Sequence, residues 1–101
     1  MITQQLLVLI AQNDIKDDIV DTLIELDFLS GFSLSNICGF SREHSHFNIK
    51  EQVEGYREFY KFEIMHSDDN QEKLLSALST VCQHNPCRYW ITPIVNSGTL
   101  C

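Results

Sequence analysis

The chain has 101 residues, 44% of them hydrophobic and 21% charged, with 14 acidic against 7 basic side chains and a net charge of −7. That length allows one domain with an adequate core, and no apolar run approaches the ~20 residues that a bilayer span needs. Nucleic-acid binding rests on cations displacing counterions from phosphates, so an acidic chain without a basic cluster argues against it, and the same charge disfavours anionic lipid headgroups.

The first strand is expected over Gln4 to Ala11 (QQLLVLIA), apolar on both faces in its second half, as in a central strand. The apolar run Leu6 to Ala11 has no positive stretch before it and acids soon after it, unlike a secretory signal, so a cytoplasmic location is expected. Asn13 and Asp14 offer a helix cap, and Asp17 and Asp18 put negative charge where the helix dipole favours it. Ile15, Ile19, Val20, Leu23 and Ile24 recur at helical spacing, which predicts a helix from about Asp14 to Leu26. Asp17, Asp18, Asp21 and Glu25 form its solvated face.

Ser30-Gly31 breaks the helix, and Phe32 to Gly39 (FSLSNICG) reads as an edge strand. A long polar loop follows, about Phe40 to Glu54 (FSREHSHFNIKEQVE), where a tight hairpin would have sufficed. A connection of that length in a small domain is usually functional or disordered. Tyr56 to Met65 alternates clearly, with Tyr60, Phe62 and Ile64 on one face. Asp69 and Glu72 fit a capping box, and Leu74, Leu75, Leu78, Val81 and Cys82 make the stripe of a second helix that Asn85-Pro86 closes. Arg88 to Val95 (RYWITPIV) is the last strand, confined by Pro93 to an edge or a strand end.

The order β-α-β, loop, β-α-β predicts an α+β, ferredoxin-like domain over residues 1–101, a four-stranded antiparallel sheet with two helices on one face. Tyr56, Phe59, Tyr89 and Trp90 give the sheet more aromatic surface than two short helices cover, so a second copy is expected on the bare face. Cys38, Cys82, Cys87 and Cys101 have no zinc-finger spacing. Four free thiols are expected, with Cys38 and Cys82 as small core residues.

The layout, with a loop opening CGFSREH and closing QVEGYREF, resembles the PII signal-transduction proteins, trimeric regulators whose protruding loop engages a target. A closer resemblance is to small PII-like proteins encoded beside heavy-metal efflux pumps. It rests on LLVL at Leu6 to Leu9, ELD...SGF within Glu25 to Phe32, EQV-x-G-x-R at Glu51 to Arg57, and YWITPIVNSGTL at Tyr89 to Leu100, where Ile94 is inserted into the pattern. The chain departs from PII proteins proper at their nucleotide site. Their TG-x-x-GDGK segment is replaced by CQHNPCRYW and their R-x-R-TG run by PIVNSGTL, and no tyrosine lies between Phe40 and Gly55 for covalent modification. ATP is therefore disfavoured as a ligand.

Glu43, His44 and His46 form an E-H-x-H cluster in the loop, and two imidazoles with a carboxylate can bind a divalent transition metal such as Zn, Ni, Co or Cu. Solvated loop histidines also commonly bind nothing. His66 and His84 read as isolated surface residues. Gln52, Gly55 and Arg57 form a second group at the loop's base, where Gly55 permits a tight turn and Arg57 can fork onto a carboxylate of a ligand, a neighbouring subunit, Glu54 or Glu58. Ser97 and Gly98 can present an amide to an anion at a subunit boundary, or form a plain turn. No catalytic motif is present, and an enzyme is not expected.

The sequence thus points to a PII-like, cytoplasmic, homotrimeric regulator whose loop contacts a partner such as a metal-efflux transporter, with no membrane insertion of its own. The alternative is a metal-tolerance protein that sequesters the cation itself, and a ferredoxin-like enzyme is a third class.

Overall fold

The computed structural model describes residues 3–40 and 57–101. Its elements are β1 (Gln4–Gln12), α1 (Lys16–Glu25), β2 (Phe32–Gly39), β3 (Arg57–Ser67), α2 (Gln71–Val81) and β4 (Arg88–Pro93). The four strands form one sheet in the order β2-β3-β1-β4, and every neighbouring pair is antiparallel. β1 and β2 both run against β3, so they are parallel to each other and α1 is the crossover between them. This is the ferredoxin-like α+β arrangement. β1 is central, as its two-faced apolarity demands, while β2 and β4 are edges and Pro93 ends β4.

Alternation builds the core. Leu7, Leu9 and Ala11 of β1 share a face with Phe62 and Ile64 of β3 and meet Ile19 and Leu23 of α1 and Leu74 and Leu78 of α2. Each Leu and Ile among them, buried from water, contributes about 2 kcal/mol. Asp17, Asp18, Asp21 and Glu25 are exposed along α1, the expected solvated face.

Both helices start later than the capping signals indicate, because each is led in by a short 3-10 turn, Asn13–Ile15 and Asp68–Asn70. No side-chain capping hydrogen bond forms at either helix start. The Asp69 carboxylate accepts from the Ser67 hydroxyl at 2.6 Å, and Asn70 Nδ2 donates to Ser67 Oγ at 3.0 Å. The expected capping box is thus replaced by a polar turn.

The other sheet face carries no helix. In strand register it presents Glu63, Val8 and Trp90 in one row, Lys61, Ile10 and Arg88 in the next, and Met65, Leu6 and Thr92 in a third. Phe59 adds an aromatic ring beside Ile37 and Gln12. Val8 and Phe59 are buried yet stand outside the core cluster, and Trp90 is 45% exposed. Tyr89 corrects the expected aromatic face: it pairs with Leu9 and so lies on the helix side. Among the described residues no helix is long and apolar enough to cross a membrane.

Candidate functional site

The loop residues Glu43, His44, His46, Gln52, Gly55 and Tyr56 lie outside the described residues. What is described is the frame. Gly39 ends β2 directly opposite Arg57, the first residue of β3, so residues 40–56 leave and re-enter the sheet at one point. β1 ends at the same end of the sheet, with Gln12 opposite Phe59, and β4 begins there, with Arg88 opposite Ile10. Three connections therefore gather at one end: 40–56, the β1–α1 turn at Asn13–Ile15, and the α2–β4 turn at 82–87.

Among the described residues at this end, the α2–β4 turn carries two cysteines. The helix closes with Cys82 N–H donating to Leu78 O at 2.9 Å, and the chain folds back with Asn85 N–H donating to Cys82 O at 3.1 Å. Pro86 cannot extend the helix, and Cys87 follows it with its thiol donating to Asn85 O at 3.2 Å. This fold-back sets the Cys82 and Cys87 side chains on the wall of one cavity. Both are half-buried and line a cavity of about 340 Å³, with Leu9, Leu75, Leu78 and Tyr89 among its walls.

Their proximity separates the two sulfurs chemically. The Cys87 side chain beside it holds the Cys82 thiol below its ordinary range, against the opposing effect of burial. Cys87 is pushed far up by the neighbouring Cys82 side chain, then by burial, then by the charges of Cys82 and Asp14. In such a pair one proton is lost before the other. The sequence pattern did not single out Cys87. The available signal was Asn85-Pro86 between the two cysteines, which forces the chain to reverse instead of carrying Cys87 onward along the helix.

The remaining expectations sort by burial. Cys38 is exposed rather than in the core: β2 is an edge strand, and none of its residues is fully buried. His66 is buried, not on the surface: its Nδ1 lies 3.4 Å from Ile64 O and its Nε2 3.1 Å from Gln5 Oε1. His84 is exposed. Ser97 and Gly98 lie in the exposed segment beyond β4, and a Cβ at Gly98 would meet nothing within 4 Å. Neither space nor a left-handed backbone demands glycine there. Among the described residues, no three His, Cys, Asp or Glu side chains stand together as a metal site.

A second cavity, of about 370 Å³, opens near the start of β2 beside Ser30, Phe32, Glu63 and Met65. Its lining mixes one carboxylate with apolar groups and no second titratable side chain.

No curated protein matches the chain in sequence. A solved structure does: the crystal structure of a DUF3240 family protein from Shewanella baltica OS155 at 2.40 Å resolution is 70% identical, covers 98% of each chain and superposes with a TM-score of 0.83. The family pattern described as "Protein of unknown function (DUF3240)" matches residues 1–101. The chain belongs to the DUF3240 family.

Proposed function

We propose that this chain is a PII-like regulatory protein, cytoplasmic and homotrimeric, that binds a partner through its 40–54 loop in response to a ligand held between subunits. The observation that carries this reading is the Gly39–Arg57 pair. Strands in direct register need only a tight turn, yet residues 40–56 are spent there, and long connections on a rigid scaffold are where recognition concentrates. The apolar sheet face around Val8 and Trp90 supports self-association. Gln52, Gly55 and Arg57 would line the loop's base, with Ser97 and Gly98 at the subunit boundary. Ligand binding would favour one loop shape, and only that shape would fit the target. A metal-efflux transporter is the proposed partner, and a divalent transition metal bound by Glu43, His44 and His46 the proposed ligand.

Native mass spectrometry with Zn, Ni, Co, Cu and adenine nucleotides tests this. The expected result is a trimer that takes up a metal, ignores nucleotides, and loses the metal in a His44→Ala/His46→Ala variant while remaining trimeric. A monomer or dimer would remove the intersubunit clefts and overturn the mechanism. Stoichiometric metal binding by isolated subunits would instead favour a sequestering protein.

A further inference from the structure

Of the molecule's titratable clusters, one is built by the fold and left unused by the regulatory reading, which it does not depend on. Cys82 ends α2, Cys87 precedes β4, and the Asn85-to-Cys82 hydrogen bond closes the turn between them. Both side chains open onto the cavity of about 340 Å³ against Leu78 and Tyr89. Cys38 and Cys101 are exposed and stand on other elements.

We propose that Cys82 and Cys87 are a redox pair that closes to an intramolecular disulfide when a hydroperoxide oxidises Cys82. Two features assign the roles. The Cys87 side chain beside it holds Cys82 below the ordinary thiol range, which favours its thiolate, the nucleophilic form. Cys87 keeps its proton, which it donates to Asn85 O at 3.2 Å, and lines the same cavity, placed to resolve the first oxidation product.

The chemistry balances in two steps. The Cys82 sulfur attacks one peroxide oxygen, the O–O bond breaks, and Cys82 becomes a sulfenic acid. The second oxygen leaves as water or an alcohol, carrying the proton that Cys82 had released. The Cys87 sulfur then attacks the Cys82 sulfur, the S–S bond forms as the S–O bond breaks, and the departing hydroxide takes the Cys87 proton as water. The two sulfurs together lose two electrons, which the peroxide gains. A dithiol reductant reverses the closure by thiol–disulfide exchange, its own sulfurs becoming oxidised.

Trypsin provides a direct readout, because residues 74–88 contain no internal Lys or Arg and carry both cysteines, while Cys38 and Cys101 fall in other peptides. The full-length protein is treated with equimolar hydrogen peroxide, alkylated with iodoacetamide and digested. The expected 74–88 peptide is lighter by two hydrogens and unalkylated, returns to the doubly alkylated form after dithiothreitol, and forms about tenfold faster than Cys101 is oxidised. A Cys87→Ser variant, which keeps the turn's size and polarity, is expected to accumulate Cys82 sulfenic acid that a cyclic 1,3-diketone traps. Equal oxidation of all four cysteines, cross-linking between copies, or a fully alkylated 74–88 peptide after peroxide would each overturn the proposal. So would a Cys87→Ser variant whose Cys82 is oxidised no faster than Cys101.

Discussion

The buried His66 ring faces Gln5 across the β1–β3 ladder, with Nε2 3.1 Å from the Gln5 side-chain oxygen and Nδ1 3.4 Å from Ile64 O. A neutral imidazole has one N–H, and both of these neighbours as placed are acceptors. With the ring neutral, turning the Gln5 amide satisfies every group: its NH₂ donates to Nε2 while Nδ1–H donates to Ile64 O. Gln5 is then a structural partner of a buried histidine. Gln5→Leu should cost about 1–3 kcal/mol, because it strands a desolvated ring nitrogen. Adding His66→Phe should recover part of that loss, since removing both partners is cheaper than removing one. Urea denaturation of the two variants measures this, and additive losses would refute the pairing.

The core predicts a sharp contrast between two aliphatic residues of the helices. Leu74 is wholly buried against the sheet, while Ile24 is 68% exposed on α1, although both lie within apolar stripes of the sequence. Leu74→Ala should cost about 2–5 kcal/mol in transfer and cavity energy, and Ile24→Ala within about 0.5 kcal/mol. Chemical denaturation midpoints would separate them clearly, and a large loss at Ile24 would mean that this side chain is covered by something beyond a single chain.

The strand boundaries were largely legible because period-2 alternation reports a sheet covered on one face. Phe32 to Gly39 is the predicted second strand and the observed one, and Arg88 begins the fourth in both. Cysteine and histidine burial was not legible, because both types pack in cores or stand in water and only tertiary position decides. Cys38 lies exposed on an edge strand, whereas His66 is buried on the helix-covered face near the end of β3, opposite Gln5. The proximity of Cys82 and Cys87 depends on a backbone reversal whose geometry no residue pattern specifies. The candidate site in the loop, at Glu43, His44 and His46, lies outside the described residues and rests on residue types alone.

The thiol pair predicts a pH signature. Cys82 is held below the ordinary thiol range chiefly by the Cys87 side chain beside it. Its thiolate is therefore favoured in the folded state. That contribution to stability is present above the unfolded thiol value and lost as pH falls through the lowered folded one. The same proton held on Cys87, well above the ordinary range, contributes stability below the unfolded value and loses it as pH rises further. Iodoacetamide labelling of Cys82 should reach half its maximal rate at lower pH than labelling of Cys101, and Cys87→Ala should move the Cys82 midpoint upward. Unchanged midpoints would show that Cys87 does not tune the sulfur.

Trp90 offers the most direct test of self-association. Its ring is 45% exposed on the helix-free face, in register with buried Val8 and with Glu63 beyond it. A side chain so exposed contributes little to the folding of one chain, so Trp90→Glu should leave the circular dichroism spectrum unchanged. If copies meet through this face, the new carboxylate is buried at the contact, across Val8 from Glu63 and one row from Arg88, and its desolvation costs several kcal/mol at an interface. Sedimentation should therefore show the variant as a folded monomer at concentrations where the parent chain associates. Val8 and Phe59 would make poorer probes, since both are already buried in one chain and their loss would mix unfolding with dissociation. A Trp90→Glu chain that associates as the parent does would place the contact elsewhere and leave the apolar face to a different partner.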